Sequence, residues 1–169
     1  MKIVLIVAGA LAAIVICVVV IGYMLPNRHV ASRSAMFKTA PERLFALIAG
    51  SQDWRPDVKT CELITREGKQ FQRETSKHGE TILYGLQSSK PPVAVERRIA
   101  TENLPYSGTW SFVLTPENGG TRVRITEDGE VYNPVFRFVS RFVLGQTATQ
   151  DAYLKAMGKA TGEEVRPEN

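Results

Sequence analysis

The first 25 residues constrain this chain more than any other part of it. From Ile3 to Leu25 there is no charged side chain, and almost every residue is aliphatic, alanine or glycine. A helix of about 23 residues is about 34 Å long, enough to cross a hydrocarbon core of roughly 30 Å. The run therefore predicts a transmembrane anchor over residues 1–26, which tethers a water-soluble domain to a membrane.

A cleaved signal peptide is the alternative interpretation of this segment. Lys2 supplies a small basic stretch before the apolar run. However, the apolar part of a signal peptide is usually about 7–15 residues long, and this run ends in Tyr-Met-Leu-Pro rather than in the small residues that a peptidase needs. We therefore expect an uncleaved, single-pass anchor. Basic residues flank both ends of the run, so the side of the membrane that carries the domain stays open.

The rest of the chain has the size of one globular domain. We assign this domain to residues 27–162 and expect a flexible polar tail over residues 163–169. The formal net charge of +4, with both signs interspersed, is too weak to indicate nucleic-acid binding. A mild attraction to anionic lipid headgroups and an ordinary solvated surface both fit this charge. Cys61 is the one cysteine of the domain, so no disulfide is expected within it.

The residue pattern of the domain predicts an α+β layout. A strand at Val30–Phe37 is followed by a helix from Pro41 to Gly50, and then by a turn or a second very short helix over residues 51–56. About six antiparallel strands fill residues 58–131, and the clearest hairpin turns at residues 116–120. Its strands present apolar faces that would pack together if the register aligns, made of Trp110, Phe112 and Leu114 and of Val123 and Ile125.

A long amphipathic helix is predicted to close the chain, from Asn133 as N-cap to about residue 162. Gly145 weakens this helix by about 1 kcal/mol relative to alanine, which favours a kink there. Arg137 and Arg141 lie one turn apart and would meet lipid phosphates, acidic side chains or water. The apolar face of the helix repeats at helical spacing through Val135, Val139, Phe142, Tyr153, Met157 and Ala160.

Several local motifs resemble those of the START-like superfamily, also called SRPBCC, which includes polyketide cyclase/dehydrase and lipid-transfer families. The motifs are Ala40–Phe45, the turn at Trp54, Gly108–Trp110, Gly120–Val123, Glu127–Val131 and Asn133–Phe138. The resemblance implies a helix-grip fold: a curved antiparallel sheet of six to seven strands around a long C-terminal helix, with two short helices after the first strand. It also implies an apolar cavity between sheet and helix that suits a lipid, quinone, isoprenoid or polyketide-like ligand.

Candidate cavity residues follow from the predicted strands and helix together with this implied fold. Tyr84 shares its strand face with Ile82 and Leu86, so an inward position is as plausible for it as an outward one. For Glu96 and Arg98 we favour an ion pair on the solvent face. The full set of candidate ligand-binding residues is Trp54, Arg73, Tyr84, Tyr106, Trp110, Phe112, Phe138, Phe142 and Tyr153.

Three functions remain open at this point. The leading hypothesis is a membrane-anchored binding or transfer module for a hydrophobic small molecule, without a cofactor or metal. The alternatives are a cyclase or dehydratase that uses acid/base residues of the cavity, and a structural or partner-binding domain whose cavity is filled. No catalytic constellation stands out, and neither His29 nor His78 has metal-ligand spacing. Protein partners, ligand identity and oligomeric state are not determined by the sequence.

Overall fold

The computed structural model describes residues 2–169, apart from the side chain of Leu144. One apolar helix precedes a domain of seven strands and shorter helices. The elements are α1 (Lys2–Met24), β1 (Arg28–Phe37), α2 (Pro41–Ala49), β2 (Val58–Arg66), β3 (Lys69–Ser76), β4 (Thr81–Lys90), β5 (Ala94–Ile99), β6 (Tyr106–Glu117), β7 (Gly120–Val131), α3 (Pro134–Val139), a π-helical turn (Ser140–Leu144) and α4 (Ala148–Thr161).

The seven strands form a single curved antiparallel sheet in the order β1-β7-β6-β5-β4-β3-β2. The register of the β6–β7 hairpin brings its two apolar faces together, with Phe112 opposite Ile125 and Leu114 opposite Val123. Its two-residue turn, Asn118-Gly119, has positive φ at both positions, which matches the right-handed twist of the strands. The apolar residues of this hairpin, together with Ala35 and Val95, form what we call the inner face of the sheet.

The helix α2 closes one end of the inner face. Leu44 and Ile48 are one turn apart and fully buried, which explains why the helix lies on the sheet. Of the two alternatives for residues 51–56, the structure has the turn and not a second short helix. Gln52 instead folds back, and its Nε2 donates to the carbonyls of Leu47, Ile48 and Gly50 at 2.8, 3.0 and 3.1 Å. These bonds satisfy the end of α2 and turn the chain toward β2.

The predicted long C-terminal helix is divided into two parts. Gly145 has φ +80°, a conformation that no helix contains, so the break falls at the predicted weak point. The first part, α3 with its π-helical turn, contacts α1. The second part, α4, packs on the inner face and buries Tyr153, Leu154 and Met157.

The helix α1 is long and apolar enough to cross a membrane. It is joined to the sheet by only three residues, Leu25–Asn27. The backbone N–H of Val131, at the end of β7, donates to the Asn27 carbonyl at 2.9 Å. The linker is therefore held against the domain.

The C-terminal segment differs from the expected flexible tail. Val165 is buried in the main core, where it packs beside Gly158 of α4. The backbone of Glu168 exchanges two hydrogen bonds of 2.8 Å with Ser34 of β1. The segment therefore adds a short bridge beside β1, because its Val165 side chain is drawn into the core.

Glu163 joins this segment to the start of α2. Its carboxylate accepts hydrogen bonds from Thr39 Oγ1 at 2.5 Å and from the backbone N–H groups of Lys38 and Thr39 at 2.5 and 3.0 Å. Burial opposes ionisation of this carboxyl, but the hydrogen bonds outweigh it and lower its pKa. The ionised Glu163 carboxylate therefore stabilises the folded domain fully above the unfolded-state pKa of about 4.3. This stabilisation is lost as the pH falls through the lower folded-state pKa.

We expect the melting temperature of the wild type to fall more steeply than that of Glu163→Gln between about pH 5 and about pH 3. Thermal unfolding of the full chain in a mild detergent, followed at several pH values, measures the two slopes. Glu164→Gln is the matched control, because Glu164 is exposed. Equal slopes for Glu163→Gln and the wild type would contradict the assigned role of Glu163.

Candidate functional site

A charged cluster lies buried on the inner face of the sheet. Glu74 on β3 is 5% exposed and Arg97 on β5 is 4% exposed. Arg97 Nη1 donates to Glu74 Oε1 at 3.1 Å and to Gln72 Oε1 at 2.8 Å. Arg55, from the turn after α2, donates to Glu74 Oε2 at 2.7 Å. One carboxylate therefore bridges two arginines. Asp57, whose side chain is 62% exposed, also pairs with Arg55, so two carboxylates balance the two arginines.

Aromatic rings surround the Arg97 guanidinium. Its Cζ lies 5.3 Å from the ring centre of Tyr84, 5.1 Å from that of Phe112 and 5.7 Å from that of Tyr153. Cation–π contacts of this kind are worth about 0.5–2 kcal/mol each, with the larger values at desolvated sites. The rings therefore help to hold a charge inside the domain.

Tyr153 of α4 is the centre of the aromatic group. Its ring packs edge-on against Trp54 and Trp110, with ring centres 5.2 and 5.7 Å apart. The Tyr153 hydroxyl donates to Gln52 Oε1 at 2.9 Å. Burial raises the pKa of Tyr153 to about 12 and, likewise, the pKa of Tyr84 to about 12. Both phenols therefore stay protonated at neutral pH and are available as hydrogen-bond donors rather than as bases.

One donor of the cluster is unsatisfied. The Nε of Arg97 has no hydrogen-bond partner in the described part of the chain. Leaving a buried donor unpaired costs about 1–3 kcal/mol, and more for a charged group. An acceptor atom brought by a ligand would remove this cost.

The predicted site residues divide into two groups. Trp54, Tyr84, Trp110, Phe112 and Tyr153 come together around Arg97, as the distances above describe. The others lie elsewhere. Arg73 points to the opposite face, where its Nη1 donates to Glu62 at 3.2 Å. The ring of Tyr106 stacks on that of Phe136, with ring centres 6.3 Å apart. The rings of Phe138 and Phe142 lie 5.0 Å apart between centres, in the segment beside α1.

Four polar residues of the cluster were not among the predicted ones: Arg55, Gln72, Glu74 and Arg97. For β5 the prediction is an ion pair at Glu96 and Arg98 on the solvent face. Both residues lie on the outer face, but neither forms an ion pair within the described residues; Ser111 Oγ donates to Glu96 Oε2 at 3.5 Å, and Arg98 is exposed. The signal was present, because Val95 and Ile99 flank Arg97 at a spacing of two and share its face.

Two clefts stand out on the described part of the molecule. One of about 150 Å³ lies between α2, β2 and β3 and is lined by Ala49, Leu63 and Phe71. The other, of about 100 Å³, lies where α1 meets the domain and is lined by Arg137 and Arg141. Neither is lined by Arg97, and both are smaller than the roughly 300–1,000 Å³ of usual ligand pockets. Within residues 2–169 no cluster of His, Cys, Asp or Glu side chains could hold a metal ion.

Comparisons with known proteins identify a matching family and similar structures. A sequence profile described as "Polyketide cyclase / dehydrase and lipid transport" matches residues 28–160. No curated protein matches the chain. A START superfamily protein from Mycobacterium smegmatis has a similar structure, with a TM-score of 0.63 and 13% identity over 79% of this chain and 97% of that one.

Two further solved structures are similar at the same level. The di-domain ARO/CYC StfQ of the steffimycin biosynthetic pathway has a TM-score of 0.61 and 14% identity over 80% of this chain and 52% of that one. Truncated norcoclaurine synthase from Thalictrum flavum has a TM-score of 0.61 and 12% identity over 79% of this chain and 93% of that one. At these identities the likeness concerns the fold alone, and it confirms the predicted helix-grip architecture.

Proposed function

Because this chain belongs to the polyketide cyclase / dehydrase and lipid transport family, we propose that it is a membrane-anchored module that binds a hydrophobic small molecule between the sheet and α4. The ligand classes that fit are lipids, quinones, isoprenoids and polyketide-like molecules that carry an acceptor atom. The observation that carries the proposal is the buried Arg97, held among aromatic rings with its Nε unpaired.

The interior offers two kinds of binding energy. Burying apolar ligand surface contributes about 25 cal/mol per Å². An acceptor that meets Arg97 Nε would form a hydrogen bond to a charged group, worth about 1.5–3 kcal/mol. The aromatic walls supply the first contribution and Arg97 supplies the second, so a ligand with an apolar body and one carbonyl or acidic group fits best.

Contacts between α1 and the domain support an anchor that stays with the chain. The Nη1 of Arg137 donates to the carbonyl of Leu25, just beyond α1, at 2.7 Å. The Arg137 guanidinium also lies 6.0 Å from the ring centre of Tyr23. Cleavage of α1 as a signal peptide would remove these partners, which favours the uncleaved anchor.

A domain with a filled interior is the second candidate. The rings of Trp54, Trp110, Phe112 and Tyr153 pack against one another with centres 5.2–5.9 Å apart. In that case Arg97 would serve the fold and the surface would serve a protein partner. An enzyme has less support, because Glu96 and Arg98 lie on the outer face, and the protonated phenols of Tyr84 and Tyr153 could serve as acids but not as bases.

The test is to isolate the full chain from its native membrane in a mild detergent and to record its native mass. We expect a stoichiometric apolar adduct on the wild type. Arg97→Met should lower the adduct occupancy about tenfold or more, since it removes the donor but leaves Glu74 paired with Arg55. Arg98→Met, on the outer face of the same strand, is the control and should retain the adduct. A clean apo mass for the wild type would instead support the filled domain.

A further inference from the structure

The cleft at the junction of α1 and the domain contains a buried arginine without an acidic partner. Arg137 of α3 is 7% exposed and lines this cleft of about 100 Å³. Its Nη1 and Nη2 donate to the carbonyls of Leu25 and Tyr132, at 2.7 and 3.4 Å. Its Nε has no hydrogen-bond partner in the described part of the chain. Two carbonyl dipoles do not balance a full charge, so the site favours an anion.

A second arginine lines the same cleft. Arg141 lies one turn after Arg137 in the π-helical turn, is exposed, and donates from Nη1 to Gln146 Oε1 at 3.0 Å. Asn27, His29 and Ser140 are further polar residues of the wall. Glu127 does not line the cleft, but one of its carboxylate oxygens lies 3.4 Å from His29 Nε2. No acidic side chain lines the cleft among the residues that the structure describes. The exposed Arg141 presents a planar N–H fork, the geometry that suits phosphate oxygens, and Arg137 adds its positive charge and its unpaired Nε–H.

The position of the cleft indicates the source of the phosphate. Leu25 and Pro26, which line it, directly follow the last residue of α1. When α1 spans a bilayer, the cleft lies at the depth of the phospholipid headgroups. The α3 helix and the π-helical turn after it expose four large apolar side chains, with exposed fractions of 40–69%: Val135, Phe136, Phe142 and Val143. Apolar side chains beside an apolar membrane helix suit acyl chains rather than water.

We propose that this cleft binds the phosphate of a bilayer phospholipid. Arg137 and Arg141 contact the phosphate, and the exposed apolar side chains of residues 135–143 lie against the acyl chains. The site is separate from the interior cluster at Arg97. The proposal rests on the proposed membrane anchoring, but not on the binding of a hydrophobic ligand. A net positive cleft should prefer an anionic phospholipid to a zwitterionic one.

The experiment measures lipid retention by the full chain in detergent, using native mass spectrometry after addition of phosphatidylglycerol, phosphatidylcholine or diacylglycerol. We expect the wild type to retain one phosphatidylglycerol, to retain less phosphatidylcholine, and to retain no diacylglycerol, which lacks the phosphate. Arg141→Gln should lower phosphatidylglycerol occupancy about tenfold. Arg141 is the residue to change because it is exposed, whereas Arg137 also holds Leu25. Arg124→Gln, an exposed arginine of β7, is the matched control and should bind as the wild type does.

The possible outcomes distinguish a phospholipid from free phosphate, and they distinguish failure of this inference from failure of the proposed anchoring. If inorganic phosphate in millimolar-scale excess displaces phosphatidylglycerol and is itself retained, the cleft is a site for free phosphate. That result would overturn the proposal that it binds a phospholipid. Equal retention by wild type and Arg141→Gln would overturn the site. Flotation with vesicles of phosphatidylcholine and phosphatidylglycerol tests the anchoring separately. A chain that does not float refutes the anchoring, whereas a chain that floats but retains diacylglycerol equally refutes only this inference.

Discussion

Replacing Glu74 with alanine is expected to destabilise the domain by about 3–5 kcal/mol. Glu74 is the only carboxylate that contacts both Arg55 and Arg97 among the described ion pairs. Its removal leaves Arg97, which is 4% exposed, without a counter-charge in a low-dielectric interior. Because a domain of this size is stable by only about 5–15 kcal/mol, the loss is a large fraction of the total.

Chemical unfolding of the full chain in a mild detergent measures this change. Glu62→Ala is the control, because Glu62 pairs with Arg73 on the outer face and the two side chains are 63% and 41% exposed. We expect that variant to lose no more than about 1 kcal/mol. The stability loss of Glu74→Gln should lie between those of Glu74→Ala and Glu62→Ala, since its amide oxygen still accepts one hydrogen bond. A similar loss for Glu74→Ala and Glu62→Ala would mean that the cluster is not buried as described.

Replacing Gly22 with alanine is expected to separate α1 from α3. A Cβ at Gly22 would lie 2.0 Å from the Pro134 carbonyl oxygen, a contact that real Cβ atoms do not make. Relief requires the two backbones to move apart, and such overpacking costs about 1–3 kcal/mol. The undocked population should therefore rise about tenfold or more.

Trypsin cleavage after Arg137 reports this opening, since the Arg137 side chain is buried and bonded to Leu25 while α3 is docked. We expect cleavage at this bond to accelerate about tenfold in Gly22→Ala, provided that opening is fast relative to cleavage. Gly9→Ala is the matched control within α1, because nothing lies within 4 Å of a Cβ there. An unchanged cleavage rate in Gly22→Ala would contradict the docked arrangement.

Local signals predicted much of this fold. The β6–β7 hairpin follows from an Asn118-Gly119 turn between strands that each have one apolar face. The start of α2 follows from Pro41 in its first turn, and the start of α3 from Asn133, whose side chain accepts a hydrogen bond from the Phe136 N–H at 3.0 Å. These features depend on residues that are neighbours in the chain, so the sequence contains them in readable form.

The interior cluster was harder to predict because β3 is polar on both faces apart from Phe71. In such a strand the hydrophobic pattern does not define the register, and a shift of one residue exchanges the faces. Arg73 was proposed for the cavity, whereas its neighbours Gln72 and Glu74 are the buried ones. Charged residues are rarely buried without a partner, and the partner of Glu74 lies on β5, far along the chain.

Gly145 predicts a kink in the C-terminal helix, but the periodicity does not predict the complete division that the structure shows. Apolar residues continue at helical spacing on both sides of Gly145, so the sequence favours one helix. The two parts pack against different partners: α3 lies against α1, where Pro134 meets Gly22, and α4 lies against the sheet. These contacts join distant parts of the chain, so the local pattern does not contain them.

The short connection between α1 and β1 limits where the domain can work. Leu25–Asn27 can extend to at most about 10 Å, even if every contact to the domain were released. With α1 in a bilayer, the domain therefore stays at the surface of that bilayer. It could not carry a ligand through the water between two separate membranes. A molecule bound near Arg97 would be exchanged with lipids of the same bilayer, or handed to a protein that reaches this surface, by lateral encounter in two dimensions.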